Sequence, residues 1–239
     1  MEQLFSTTPL QVGQLVNKIE LGELGLPELQ RPFIWPDSKV RDLFDSMMKG
    51  YPIGYLMLWD CPELDKKKTI GVDEHSYPKP KEVIIDGQQR LTSLYAVMKG
   101  KKVKNKKYED KEIVISFNPL KCIFEVGFQM TKRDKEWIYN ISDAYISNSW
   151  SFTNNYINNL KQLRESKGLE LTNEEIRIVS NNITALYNLQ NFTLPVFNIK
   201  SSADEESVSN IFVRVNSGGI ALKQNDFILT LVSLYWQEG

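Results

Sequence analysis

The sequence predicts an α/β (α+β) fold: a small mixed sheet flanked by helices, with a more helical second half. Three observations predict it. Short apolar runs of strand length recur, at IGYLMLW (residues 53–59), EVIID (82–86) and LPVFNI (194–199). Stripes of apolar residues at helical spacing alternate with these runs. In the second half the stripes dominate, and no internal repeat or low-complexity linker interrupts them.

The elements follow in order. Residues 10–21 carry Val12, Leu15, Val16 and Ile19 on one helical face, with Thr8-Pro9 as cap and first residue. In LPELQRPFIW, residues 26–35, Pro27 and Pro32 forbid a regular helix and favour extended chain. Residues 36–50 read as a second helix. Val40, Leu43, Phe44, Met47 and Met48 share its face, and Gly50 supplies the stop. After the strand at 53–59, residues 61–80 are polar and charged and read as a loop. EVIID is then a short strand leading into Asp86-Gly87, and Leu91, Leu94, Tyr95 and Met98 make a helical stripe behind it.

EIVISFNPLKCIFEVGF, residues 112–128, reads as a β-hairpin turning at Asn118-Pro119. Thr172 and Glu175 have the spacing of a capping box, followed by the stripe Ile176, Val179, Ile183 and Leu186. Ser202 with Glu205 reads as a second box, before Val208, Ile211, Phe212 and Val215. NSGG at 216–219 breaks that helix, and residues 224–236 start another with no clear stop. The expectation is one domain over 1–239. Residues 1–107 form its motif-bearing core, 108–239 a hairpin and helical part completing the site, and the whole is the front portion of a longer protein.

Bulk properties exclude several function classes. The 239 residues carry a formal net charge of -1, which argues against nucleic-acid binding through bulk charge alone. Cys61 and Cys122 have no close partner in sequence, which fits a reduced, cytoplasmic protein. There is no secretion signal and no apolar run long enough to span a bilayer. His75 is the single histidine. A multi-histidine zinc site, a Ser-His-Asp arrangement with a spare base and a two-histidine nuclease motif are therefore excluded. Neither G-x-x-x-x-G-K-[ST] nor G-x-G-x-x-G is present.

Four stretches have the residue types for chemistry. In Asp86-Gly87-Gln88-Gln89-Arg90 a strand meets a glycine turn and a helix starts at once. The first backbone N–H groups of a helix have no internal partner and, with the helix dipole, favour an anion. Arg90 adds a planar two-pronged donor suited to phosphate. Gln88 and Gln89 offer neutral donors and acceptors for a water, a ribose or a base edge. Asp86 either caps the helix or holds Mg²⁺ through water. An Asp-Gly turn with solvated glutamines is the plain alternative.

In Gln30-Arg31-Pro32-Phe33-Ile34-Trp35, Arg31 meets a phosphate or sits in a salt bridge, and the aromatics read as core more readily than as ligand contacts. In Phe212-Val213-Arg214-Val215-Asn216-Ser217-Gly218-Gly219 a helix ends in a glycine-rich turn, either an anion nest or an ordinary C-cap. The lysine-rich stretch 99–112 reads as a solvated connector, since acids follow it closely.

Gln30-Arg31-Pro32-Phe33-x-Trp35, Tyr51-Pro52-Ile53-Gly54, Asp86-Gly87-Gln88-Gln89-Arg90-Leu91-Thr92-Ser93-Leu94 and Phe212-x-Arg214-x-Asn216-x-Gly218-Gly219 follow in that order along the chain, and together they closely resemble the DGQQR-motif domain at the front of GmrSD-type, modification-dependent restriction enzymes and related phage-defence proteins. That family is similar to the ParB and sulfiredoxin folds, whose strand–Gly-x-x-Arg–helix phosphate site has the spacing of Gly87 to Arg90. The resemblance implies nucleoside-triphosphate binding and hydrolysis with Mg²⁺, used to regulate cleavage of modified or foreign DNA. It assigns catalysis to Asp86, Gln89 and Arg90, and phosphate or nucleotide contacts to Gln30, Arg31, Gly87, Gln88, Arg90, Arg214 and Asn216. Asp86 is the metal residue, through water. Sulfiredoxin-type redox repair needs a cysteine beside the arginine, and Gln89 stands there instead. DNA cutting in such proteins belongs to a C-terminal nuclease domain or partner subunit, so no nuclease activity is expected of this chain. A non-enzymatic DNA-recognition or protein-docking module is the alternative, and oligomerisation is left open.

Overall fold

A computed structural model describes residues 3–27, 32–60, 67–68 and 81–216. They confirm a mixed α/β fold. The elements run β1 (Phe5–Gln11), α1 (Val12–Glu20), β2 (Leu24–Pro27), α2 (Asp37–Met48), β3 (Leu56–Asp60), β4 (Lys67–Lys68), β5 (Glu82–Asp86) and α3 (Gln88–Lys99). They continue with β6 (Val103–Lys104), β7 (Asp110–Lys111), β8 (Ile115–Asn118), β9 (Ile123–Val126), α4 (Gln129–Arg133), α5 (Ser142–Ile146), α6 (Ser149–Ser166), α7 (Asn173–Asn188), β10 (Thr193–Ile199) and α8 (Glu205–Asn216).

The chain divides into two compact units. The first takes its described residues from Met1–Pro32, Gly54–Leu91 and Thr193–Gly239. Its centre is a six-stranded sheet of order β1-β10-β3-β5-β2-β4. β10 and β3 run parallel, as do β2 and β5, while β1–β10, β3–β5 and β2–β4 are antiparallel. Side chains alternate across a sheet. Met57, Trp59, Val83, Ile85 and Ile199 share one face, packed with Val208 and Phe212 of α8. α1 packs against β1 and β2 and buries Val12, Leu15, Val16 and Ile19, as its stripe predicts. Lys18 on α1 pairs with Glu82 on β5 at 2.5 Å.

The second unit comprises Phe33–Ile53 and Thr92–Phe192. Its β8–β9 hairpin turns where Asn118-Pro119 predicts, with Cys122 at φ 52 in the turn as a free thiol. α2 packs on that hairpin through Phe44, whose ring lies 6.4 Å from Phe124. α6 lies beside α7, and Arg164 reaches Glu136 at 3.4 Å and Glu175 at 3.5 Å.

Three local expectations are corrected. Thr8-Pro9 does not begin a helix: both lie in edge strand β1, with Pro9 opposite Pro195, and α1 starts after Gln11. An edge strand tolerates proline where no ladder N–H is required. The strand expected over 53–59 begins only at Leu56, because Gly54 adopts φ 90. Asp204, not Ser202, caps α8, its carboxylate accepting from the Ser207 N–H at 2.9 Å. The lysine-rich stretch is a mostly exposed connector, as expected, in which β6 and β7 form a short hairpin; Lys104 pairs with Asp110 across it and Lys111 with Asp37 of α2, each at 2.6 Å. In the expected loop over 61–80, Lys67 and Lys68 pair with β2, and the rest lies outside the described residues. So does the helix expected at 224–236. No described helix is long and apolar enough to cross a membrane.

Candidate functional site

The DGQQR stretch folds as its sequence predicts. Val83, Ile84 and Ile85 are buried in β5, which fixes the strand in mid-sheet, and the chain leaves it at Asp86. Gly87 takes φ 87, a region that costs a residue with a Cβ about 1–2 kcal/mol. An added Cβ there would also lie 2.3 Å from Leu56 Cδ2 and 3.3 Å from the Tyr55 carbonyl oxygen. Glycine is therefore required twice, for its backbone and for its lack of bulk. α3 starts at Gln88, and its first hydrogen bond runs from Leu91 N–H to the Gly87 carbonyl at 3.0 Å. Asp86, Gln88, Gln89 and Arg90 are all half-buried around this turn.

Arg90 does not extend into solvent. Its Nη1 donates to the Tyr55 carbonyl at 2.5 Å. Its guanidinium lies over Gly54, where an added Cβ would stand 2.8 Å from Nη2. The two positive-φ glycines, Gly54 and Gly87, thus make the slot that holds it. Burial pushes the Arg90 guanidinium below its ordinary value, against the opposing pull of Asp86 and Tyr55. Its neighbours therefore offset the desolvation of this cation only in part.

Tyr55 completes the arrangement, and sequence reasoning gave it no role. Its hydroxyl donates to Asn216 Oδ1 at 3.0 Å, while Asn216 Nδ2 donates to the Phe212 carbonyl at 2.9 Å. Its ring stands edge-on to Phe197 at 5.2 Å. Burial raises the Tyr55 hydroxyl, and the Asp86 carboxylate beside it raises it further, against Arg90. A β-bulge between Met57 and Leu58, with Met57 opposite Asp86, lies at this end of β3. Bulges recur where a strand must re-aim side chains. The signal in the sequence was Gly54, which ends the Tyr51-Pro52-Ile53-Gly54 motif directly before Tyr55.

The structure brings Asp86, Gly87, Arg90 and Asn216 together around Tyr55. Gln88 and Gln89 lie in the first turn of α3. Arg214 is exposed, in the last turn of α8. It stands two residues before Asn216, roughly 200° around the helix. Gln30, Arg31, Ser217 to Gly219 and His75 lie outside the described residues. Among the aromatics of the second motif, Phe33 is buried in the core, whereas Trp35 is half-exposed with Lys39 Nζ 4.4 Å from its ring centre. Among the described residues no group of three His, Cys, Asp or Glu side chains could hold a metal ion.

Chemically the arrangement offers a helix N-terminus opened by a glycine, a fixed guanidinium and a single carboxylate. This suits an anion carrying several oxygens better than a free metal ion. A family model described as GmrSD restriction endonuclease, N-terminal domain, matches residues 12–233. An uncharacterized protein of Methanocaldococcus jannaschii is 36% identical to the chain over 89 residues, which cover 34% of the chain and 15% of that protein. The match therefore spans less than a fifth of that relative's length.

Proposed function

The chain belongs to the GmrSD restriction endonuclease N-terminal domain family, and from that premise we propose that it is a cytoplasmic, nucleotide-binding regulatory domain that holds the phosphates of a nucleoside triphosphate at residues 86–90. One observation carries the reading. Arg90, in the first turn of a glycine-opened helix, is drawn into a slot made by two positive-φ glycines, where burial lowers its guanidinium against the pull of Asp86. A bound phosphate gives further N–H groups of this guanidinium an acceptor.

In this reading the amides at the start of α3 and the Arg90 guanidinium hold phosphate oxygens. Gln88 orients the ligand, and Gln89 orients the water that attacks. Gln30, Arg31, Arg214 and Asn216 add contacts from the flanking motifs. Asp86 is the residue that would hold Mg²⁺, through water. A lone carboxylate fits Mg²⁺, which is commonly bound by one or two carboxylates plus phosphate oxygens rather than by an all-protein cage. When bound, Mg²⁺ neutralises charge on the β- and γ-phosphate oxygens. Hydrolysis then gates DNA cleavage by a nuclease domain or partner subunit, placing the chain in a restriction or phage-defence system. The alternative of DNA recognition by the lysine-rich stretch is weakened by its Lys104–Asp110 and Lys111–Asp37 ion pairs.

The test is phosphate release from ATP, GTP, CTP and UTP with Mg²⁺, comparing the wild type with Arg90→Ala. A fall of at least tenfold is expected for the favoured nucleotide. Equal rates in the two proteins would sink the catalytic claim.

A further inference from the structure

We propose that Tyr55 is a positioning residue of the phosphate site, its carbonyl fixing the Arg90 guanidinium and its hydroxyl fixing the Asn216 side chain; this rests on the nucleotide reading above. Three observations carry it. The carbonyl of Tyr55 accepts from Arg90 Nη1 at 2.5 Å, and the preceding Gly54 leaves room for the guanidinium. The hydroxyl of Tyr55 lies 3.0 Å from Asn216 Oδ1, to which it donates, and the Asp86 carboxylate is a second acceptor beside it. The Asn216 Nδ2 is committed to the Phe212 carbonyl, so the amide is held at both ends and its orientation is set.

The ring edge against Phe197 and the bulge between Met57 and Leu58 keep Tyr55 itself in place. One residue therefore joins the DGQQR turn to the end of α8, a contact between positions 161 residues apart in sequence. A ligand that moves Arg90 moves the Tyr55 carbonyl, and the hydroxyl carries that shift to Asn216. Removing the hydroxyl leaves Arg90 held but lets the Asn216 amide turn.

Tyr55→Phe keeps the ring and the carbonyl and removes only what the hydroxyl does, and Asn216→Ala beside it separates the Asn216 link from the Asp86 contact. Titrate the favoured nucleotide with Mg²⁺ into the wild type, Tyr55→Phe, Asn216→Ala, the double variant, Arg90→Lys and Arg90→Ala, with thermal midpoints for all. Tyr55→Phe and Asn216→Ala should each weaken binding about threefold to tenfold. The double variant should be no weaker than the worse single one, because both break the same link. The Tyr55 role is overturned if Tyr55→Phe binds within twofold of wild type while Arg90→Ala or Arg90→Lys loses more than tenfold. It is equally overturned if the two single losses multiply in the double variant. An Arg90→Ala that binds as the wild type overturns the phosphate reading itself, and the Tyr55 role with it. Should Tyr55→Phe unfold, Asn216→Ala alone decides: unchanged affinity overturns the proposal.

Discussion

The start of α3 and the start of α7 solve the same problem in opposite ways. At α7, Thr172 Oγ1 accepts from the Glu175 N–H at 3.2 Å and the Glu175 carboxylate accepts from the Thr172 N–H at 2.9 Å. The helix closes itself with its own side chains. At α3 the residue before the helix is Gly87, which has no side chain to give. The nearby polar groups are instead spent across the fold, Arg90 on Tyr55 and Tyr55 on Asn216. A helix start that serves only stability satisfies its amides locally. The start of α3 is instead opened by glycine and braced from other elements, and it is this difference that the proposed nucleotide site uses.

The strongest way to break this contrast is to put a side chain where α3 opens. Gly87→Ala meets both the positive φ and the 2.3 Å approach to Leu56 Cδ2. It should cost about 2–5 kcal/mol in denaturant unfolding, summing backbone strain and overpacking, and abolish nucleotide binding. Gly54→Ala sharpens the point. The added Cβ meets the end of a flexible side chain, Arg90 Nη2 at 2.8 Å, so the guanidinium can give way. Stability should fall by only about 1–2 kcal/mol, from the φ of 90. Nucleotide affinity should fall further than that stability loss implies, as a titration beside the unfolding curve will read.

The elements that local pattern decides were legible in the sequence. EVIID followed by Asp-Gly and a helical stripe gave β5, the turn and α3, and Thr172 with Glu175 gave the cap of α7. Thr8-Pro9 misled because proline suits both the first helical position and an edge strand, and only the pairing with Pro195 decides between them. Tyr55 escaped notice for a different reason. Its partner Asn216 is 161 residues away, and no local period carries a distance of that kind. The inward turn of Arg90 was likewise invisible, since it depends on Gly54 from another strand's approach.

The other side of the contrast should respond weakly and without touching function. Thr172→Ala should cost about 1 kcal/mol of stability and leave nucleotide affinity unchanged; a loss of affinity would show that the two helix starts are not separate in role. The smallest effect is in pH. The Thr172 backbone N–H holds the Glu175 carboxyl below its ordinary value. A depressed carboxyl adds stability that is present above its unfolded value and is lost as pH falls through the folded one. Glu175→Gln should therefore flatten slightly the acid limb of a thermal-midpoint profile below about pH 4.5, with little change in the shape of the profile at neutral pH.

The central claim is that Arg90 holds phosphate at the glycine-opened start of α3. Calorimetric titration of a nucleoside triphosphate with Mg²⁺ into the wild type, Arg90→Lys and Arg90→Ala tests it most directly. Saturable binding to the wild type, weakened in Arg90→Lys and reduced at least tenfold in Arg90→Ala at matched circular dichroism, is the predicted result. Equal affinity in all three proteins, or no binding of any triphosphate to the wild type, would contradict it.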